Sequence, residues 1–192
     1  MEADEVKKKY NSGQRDFGSK DLSDADFSKI DLTEINFANS NLSSANLSWA
    51  NMNGANLSEA DLNYADLSKA KLSHANLKGA NLGGANLSGA DLSGANLSEA
   101  HLDNANLSKA ILNGANLTKA ELNGADMSKA NLSGSVLSQA DLSNANLSKA
   151  NLSSADLNRA DLSSANLSGA TLIGAILSGI DLAGADLDGT KF

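Results

Sequence analysis

From Phe17 onward a large apolar residue returns at every fifth position without a slip, through Leu22, Phe27 and Leu32 to Phe192, giving 36 centres that are all Leu, Phe or Met. Two positions before the centre the residue is Ala in 28 of the 36 pentads, and one position before it is Asn or Asp in 28. A polar residue, most often Ser, follows the centre, and then a variable one. An α-helix cannot bury this pattern, because five residues advance about 140° around its axis and successive centres would spiral over every side. A continuous strand fails as well. Its side chains alternate with a period of two, so an odd repeat sends alternate centres to opposite faces. What remains is a short extended piece and a corner in each pentad, with the centre and the Ala facing a shared interior and the other three positions facing water.

The variable position marks the corner, since 13 of the 16 glycines lie there, two residues after a centre. A type II turn needs positive φ at its third residue, which Gly or Asn adopts with least strain. Where Lys, Glu or Ser stands at that position, a different turn type or local strain is expected. Phe17, Phe27 and Phe37 cluster at the start, and Ile30 and Ile35 replace Ala there, which predicts a slightly wider or less regular N-terminal end. Residues 2–12, EADEVKKKYNS, break the pattern. Acids first, lysines later, Val6 and Tyr10 on one face and Gly13 beyond them predict a short helix that lies over the first coil as a lid. The chain therefore divides into an N-terminal helical cap, residues 1–14, and a repeat body, residues 15–192.

Composition narrows the function classes. The chain has no Cys and no Pro, so neither a disulfide framework nor thiolate chemistry is available, as in a reducing cytosol. No run of 18 apolar residues occurs, and the N-terminus lacks an apolar targeting segment. A cytoplasmic protein without a membrane partner is expected. A net charge of −8 argues against direct nucleic-acid or anionic-membrane binding.

The tandem A-(N/D)-L-S-X motif over residues 15–192 resembles the pentapeptide-repeat family, and the opening Y-N-S-G-Q-R-D-F is similar to the N-terminal caps of its cyanobacterial members. The resemblance implies an all-β fold, a right-handed quadrilateral parallel β-helix of about nine coils with a short N-terminal capping helix. At about 4.8 Å per coil the rod is about 43 Å long. Such a solenoid presents rigid flat sides to a protein partner and performs no chemistry of its own. Some family members mimic DNA and bind DNA gyrase, and that is the alternative role the resemblance implies.

The motifs that usually carry chemistry are here products of the repeat. Asn-Leu-Ser is the consensus itself, not a glycosylation signal. The Gly-rich run 79–94 lacks the Lys-Ser/Thr of a phosphate loop. His74 and His101 are the only histidines, so a zinc set cannot be assembled from soft ligands. A filled interior offers no cleft in which to perturb a carboxylate. No enzyme activity, cofactor or metal is expected. Residues 20 apart should instead align in outward columns. One gathers Lys29, Trp49, Lys69, Gly89, Lys109, Lys129 and Lys149, and another gathers Asp21, Asn41, Asp61, Asn81, His101, Glu121, Asp141, Asp161 and Asp181. The candidate protein contacts are Trp49, Lys69, Lys109, Lys129 and Lys149, with the lone tryptophan foremost. Ile173, Ile176 and Val136 fall at outward positions, and no second cap is legible after Phe192. Pairing of that coil with a second copy, a homodimer, is expected to cover them. The identity of the protein partner is not written in the sequence.

Overall fold

A computed structural model describes residues 2–192. Helix α1 spans Ala3–Asn11, with Asp4 and Glu5 in its first turn and Lys8 and Lys9 in its last, the charge order that suits the helix dipole. Its C-terminus is closed by a Schellman arrangement: the Gly13 N–H donates to Tyr10 O at 2.9 Å and the Gln14 N–H to Lys9 O at 3.1 Å. Gly13 has φ +100°, a left-handed conformation that glycine reaches without a Cβ clash. Val6 and Tyr10 are buried, so the amphipathic face lies on the first coil as the sequence predicts. The Tyr10 hydroxyl donates to Thr33 O at 2.9 Å, and the Arg15 guanidinium sits 3.9 Å from the centre of the Tyr10 ring.

Beyond the cap, every residue one position before a centre, from Asp16 to Thr171, pairs in parallel with the residue 20 positions on. Five residues per side and 20 per coil make a four-sided parallel β-helix. The first side runs through Phe17 and Phe37, the second through Leu22 and Leu42, the third through Phe27 and Leu47, and the fourth through Leu32 and Met52. All centres from Phe17 to Leu172 are buried, with the alanines before them from Ala45 on. In the last coil Leu187 and Phe192 are exposed.

Where Asn or Asp precedes the centre, the five backbone N–H groups of a pentad can each find a partner, and the pentad Ala65–Lys69 shows how. Ala65 donates to Leu62 O and closes the turn, Asp66 donates back to Ala45 O, Leu67 forward to Asn86 O, and Lys69 forward to Ser88 O. Ser68 has no backbone partner; its N–H donates to the Asp66 Oδ1 at 2.9 Å. The Asn or Asp before each centre is therefore a structural acceptor, since an unpaired backbone donor is costly wherever water is scarce. The same side chains also bond between coils. Asn36, Asn56, Asn76, Asn96 and Asn116 each donate Nδ2 to the Oδ1 one coil below, at 2.9 to 3.4 Å, in a ladder that starts on Asp16.

Of the two alternatives expected at non-glycine corners, the structure shows the second: they keep the one turn type and carry the strain of left-handed backbone. Ser19, Lys29, Trp49 and Tyr64 have φ between 55° and 61°, next to 63° at Gly84, because the inter-coil ladder fixes the corner geometry regardless of the side chain. No corner holds a β-branched residue, the class least able to adopt left-handed backbone. Where the sequence predicts a slightly wider or less regular N-terminal end, the pairing is regular, with Asp16↔Asn36 through Asp31↔Asn51 keeping the period of 20. The larger side chains pack into the interior, with the Phe27 and Phe37 rings 5.6 Å apart and Phe17 and Phe37 6.2 Å apart.

Candidate functional site

The interior is filled mainly by Leu and Ala, with Phe, Met and Ile among them, which leaves the outer columns as the candidate surface. The corner between the third and fourth sides carries Lys29, Trp49, Lys69, Lys109, Lys129 and Lys149, all exposed. Trp49 shows 61% of its surface. The four ion pairs among the described residues are Lys7–Asp4, Lys9–Glu5, Lys78–Glu99 and His101–Glu121, and none holds a lysine of this corner. Cations stacked one coil apart, at about 4.8 Å, repel by about 1 kcal/mol even in a water-like dielectric. Glycine relieves the crowding at one point. The Lys69 side chain lies across Gly89, its Cε 2.9 Å from where a Cβ would stand.

The second side carries the opposite charge, in the column Asp21, Asp61, Glu121, Asp141, Asp161 and Asp181. Asn41, Asn81 and His101 interrupt it, the His101 Nδ1 2.6 Å from Glu121 Oε2. Near the cap, Asp21 and Asp26 are held below the ordinary aspartate range by the backbone N–H and then the hydroxyl of Ser23 and of Ser28. Asp31 is lowered by the Thr33 hydroxyl and then its N–H. These shifts come from the corner hydrogen bonds of the repeat rather than from a reactive cleft. A recess of about 290 Å³, lined by Lys7, Tyr10, Asn11, Ile30, Asp31 and Leu32, lies at the edge of the cap. Among the described residues no group of three His, Asp or Glu is placed to hold a metal ion, and no helix is long and apolar enough to cross a membrane.

Val136, Ile173 and Ile176 are exposed, as the register predicts, and so is Ile111, which sequence reasoning passed over. Its signal was available: Ile111 stands at a position that is Asn or Asp in most pentads. Tyr64 was missed too and is exposed at the corner between the second and third sides. Trp49 and Tyr64 thus stand at opposite edges of the third side, on neighbouring coils. That side is the most regular one, with Ser at every position after the centre from Ser28 to Ser168.

A family model described as pentapeptide repeats matches residues 21–58, 55–94, 95–134, 125–163 and 165–192, in 8 copies. The crystal structure of HetL is similar. That pentapeptide repeat protein, involved in heterocyst differentiation regulation in the cyanobacterium Nostoc sp. strain PCC 7120, is 32% identical over 100% of this chain and 94% of its own, with a TM-score of 0.53. QnrB1, a plasmid-mediated fluoroquinolone resistance protein, aligns over 88% of this chain and 89% of its own at 21% identity and a TM-score of 0.67, a likeness of fold. No curated protein matches the sequence at a significant level.

Proposed function

Because the chain belongs to the pentapeptide-repeat family, with its right-handed quadrilateral β-helix, we propose that it is a regulatory scaffold that binds a protein partner on its outer sides and performs no chemistry of its own. One observation carries the reading: five lysines and the only tryptophan align on a single corner of a chain with net charge −8, outside every ion pair among the described residues. Stacked cations cost stability and return nothing within the molecule. An acidic partner surface would turn that cost into affinity and faster encounter, and an exposed Trp is a common anchor. The likeness to HetL supports a regulatory role. The test is capture of partners from the native cell with wild type, Trp49→Ala and the reversal Lys69→Glu/Lys109→Glu/Lys129→Glu/Lys149→Glu. A protein retained by wild type and lost with both variants is expected. Identical captures by all three would remove the reading.

The acidic second side favours a second reading, a DNA mimic that binds DNA gyrase. Its Glu121, Asp141, Asp161 and Asp181 stack on consecutive coils. A supercoiling assay separates the two, since inhibition or protection of gyrase belongs only to the second.

A further inference from the structure

The four exposed β-branched apolar residues of the repeat body are not scattered. Ile111 and Ile173 lie on the fourth side and Val136 and Ile176 on the first, so all four border the one corner these sides share. They expose between 37% and 55% of their surface. The span from Ile111 to Ile173 covers three coils, about 15 Å along the axis. The crest between them is small, with Gly114, Gly134, Ser154 and Gly174 in succession. A Cβ on Gly114 or Gly134 would meet nothing within 4 Å, and 22 other corners hold a side chain at the same positive φ. Packing within the chain therefore does not demand a bare crest here.

These residues are unfavourable for the fold that contains them. At the position before a centre, Asn or Asp accepts the N–H two residues on. Ile111, Val136 and Ile176 give up that acceptor, and the N–H groups of Asn113, Ser138 and Ser178 find no side-chain oxygen among the described residues. Val136 also ends the amide ladder that climbs from Asp16 to Asn116. An apolar side chain placed in water at the loss of a hydrogen bond is the mark of a surface that is covered.

Charge follows the same division. Between residues 97 and 176 the second and third sides carry Asp103, Glu121, Asp126, Asp141 and Asp161 with no Lys or Arg. Over the same span the fourth and first sides carry one charge, Asp156, both of whose oxygens are occupied by the Ser138 hydroxyl and the Asn158 N–H. The cations stand on the two bounding corners, Lys109, Lys129 and Lys149 on one, and Lys119 and Arg159 on the other, where the single anion Glu99 is paired with Lys78 at 3.8 Å.

We propose that this ridge, bare at its crest, apolar on both flanks and rimmed by cations, is the docking surface for a protein partner that presents an apolar face edged by carboxylates. The inference rests on the scaffold reading and names the partner's chemistry and the half of the rod it grips. A second copy fits less well, because its own ridge presents the same cationic rim.

The test uses the full chain with Ile111→Asn, Val136→Asn, Ile173→Ser and Ile176→Asn together. Each change restores the residue the repeat uses most often at that position, so the variant folds, as far-UV circular dichroism will verify. The probe is a synthetic amphipathic peptide with leucines on one face and glutamates on both flanks, beside a control with serine for leucine. Saturable binding of the leucine peptide to wild type is expected, at least tenfold weaker to the variant and to Lys109→Glu/Lys129→Glu/Lys149→Glu, and at least tenfold weaker for the serine peptide. Equal affinity of variant and wild type, or no saturable binding, overturns the proposal. So does a wild-type dimer in sedimentation equilibrium that the four changes dissolve, which would assign the ridge to a second copy. If the native partner is lost with Trp49→Ala and the lysine reversal yet kept by the four-fold variant, the scaffold reading stands and this inference falls.

Discussion

The residue before each centre acts through one oxygen. Asn106 Oδ1 accepts the Ser108 N–H at 3.0 Å, and no backbone carbonyl among the described residues accepts it. Asn106→Leu should cost about 1 kcal/mol, the usual net worth of such a bond, read as a lower denaturant midpoint at constant slope, with Asn106→Asp near neutral. Ile111→Asn should do the reverse and raise the midpoint by a similar amount. Acid titration tests the same chemistry near the cap. Asp21, Asp26 and Asp31 are depressed in the folded state, so the stability they contribute is fully present above the ordinary aspartate value of about 3.9 and is lost as pH falls through the lower folded values. Replacing all three with Asn keeps an Oδ1 acceptor that does not titrate. The triple variant should lose less stability between about pH 4 and pH 2 than wild type, as ellipticity against pH will show.

At the scale of the turn and the helix, one conformation serves every corner, whatever side chain it carries. Lys119 has φ 58°, a region that costs a non-glycine residue about 1–2 kcal/mol. Lys119→Gly should therefore raise the thermal midpoint slightly, whereas Lys119→Val should lower it, since branching at Cβ worsens the clash. Gly84 and Gly134 differ from each other in a second way. A Cβ on Gly84 would meet the Tyr64 ring at 2.7 Å, and one on Gly134 meets nothing within 4 Å. Gly84→Ala should swing Tyr64 away and change its near-ultraviolet circular dichroism, while Gly134→Ala should leave that signal intact. Here the sequence was only partly readable. The period of five carries the burial of the centres from Phe17 to Leu172 and the outward placement of Trp49 and the lysines, and Val6, Tyr10 and Gly13 carry the cap. The uniform turn was hidden, because an isolated Lys or Glu resists left-handed backbone and only the cooperative ladder between coils overrides that preference. The acceptor role of Asn and Asp was hidden for the same reason: solvent exposure explains their polarity equally well until the N–H two residues on is seen to lack a partner.

For the whole rod, the coil period turns a linear sequence into columns, so any surface function depends on register modulo 20. Each coil touches only its neighbours, so internal coils should be removable without unfolding the rest. Deleting residues 77–96 removes one full coil and leaves Lys109 stacked directly over Lys69. Deleting residues 82–96 removes three pentads instead, and the chain beyond turns by one side. Lys109, Lys129 and Lys149 then move to the corner that holds Glu34 and His74, and the column they share with Trp49 is broken. Both deletions preserve every pentad, so both proteins should give the wild-type far-UV spectrum and a cooperative thermal transition. Only the first should retain a partner that reads Trp49 and the lysines together. A partner gripping the C-terminal ridge alone should bind both equally, because all residues of that ridge from Ile111 to Ile176 turn as one body. Titrating one purified partner against the two deletions therefore separates a surface that runs the length of the rod from one confined to its final coils. Loss with both, in proteins that still fold, would instead place the contact on residues 82–96, which both lack.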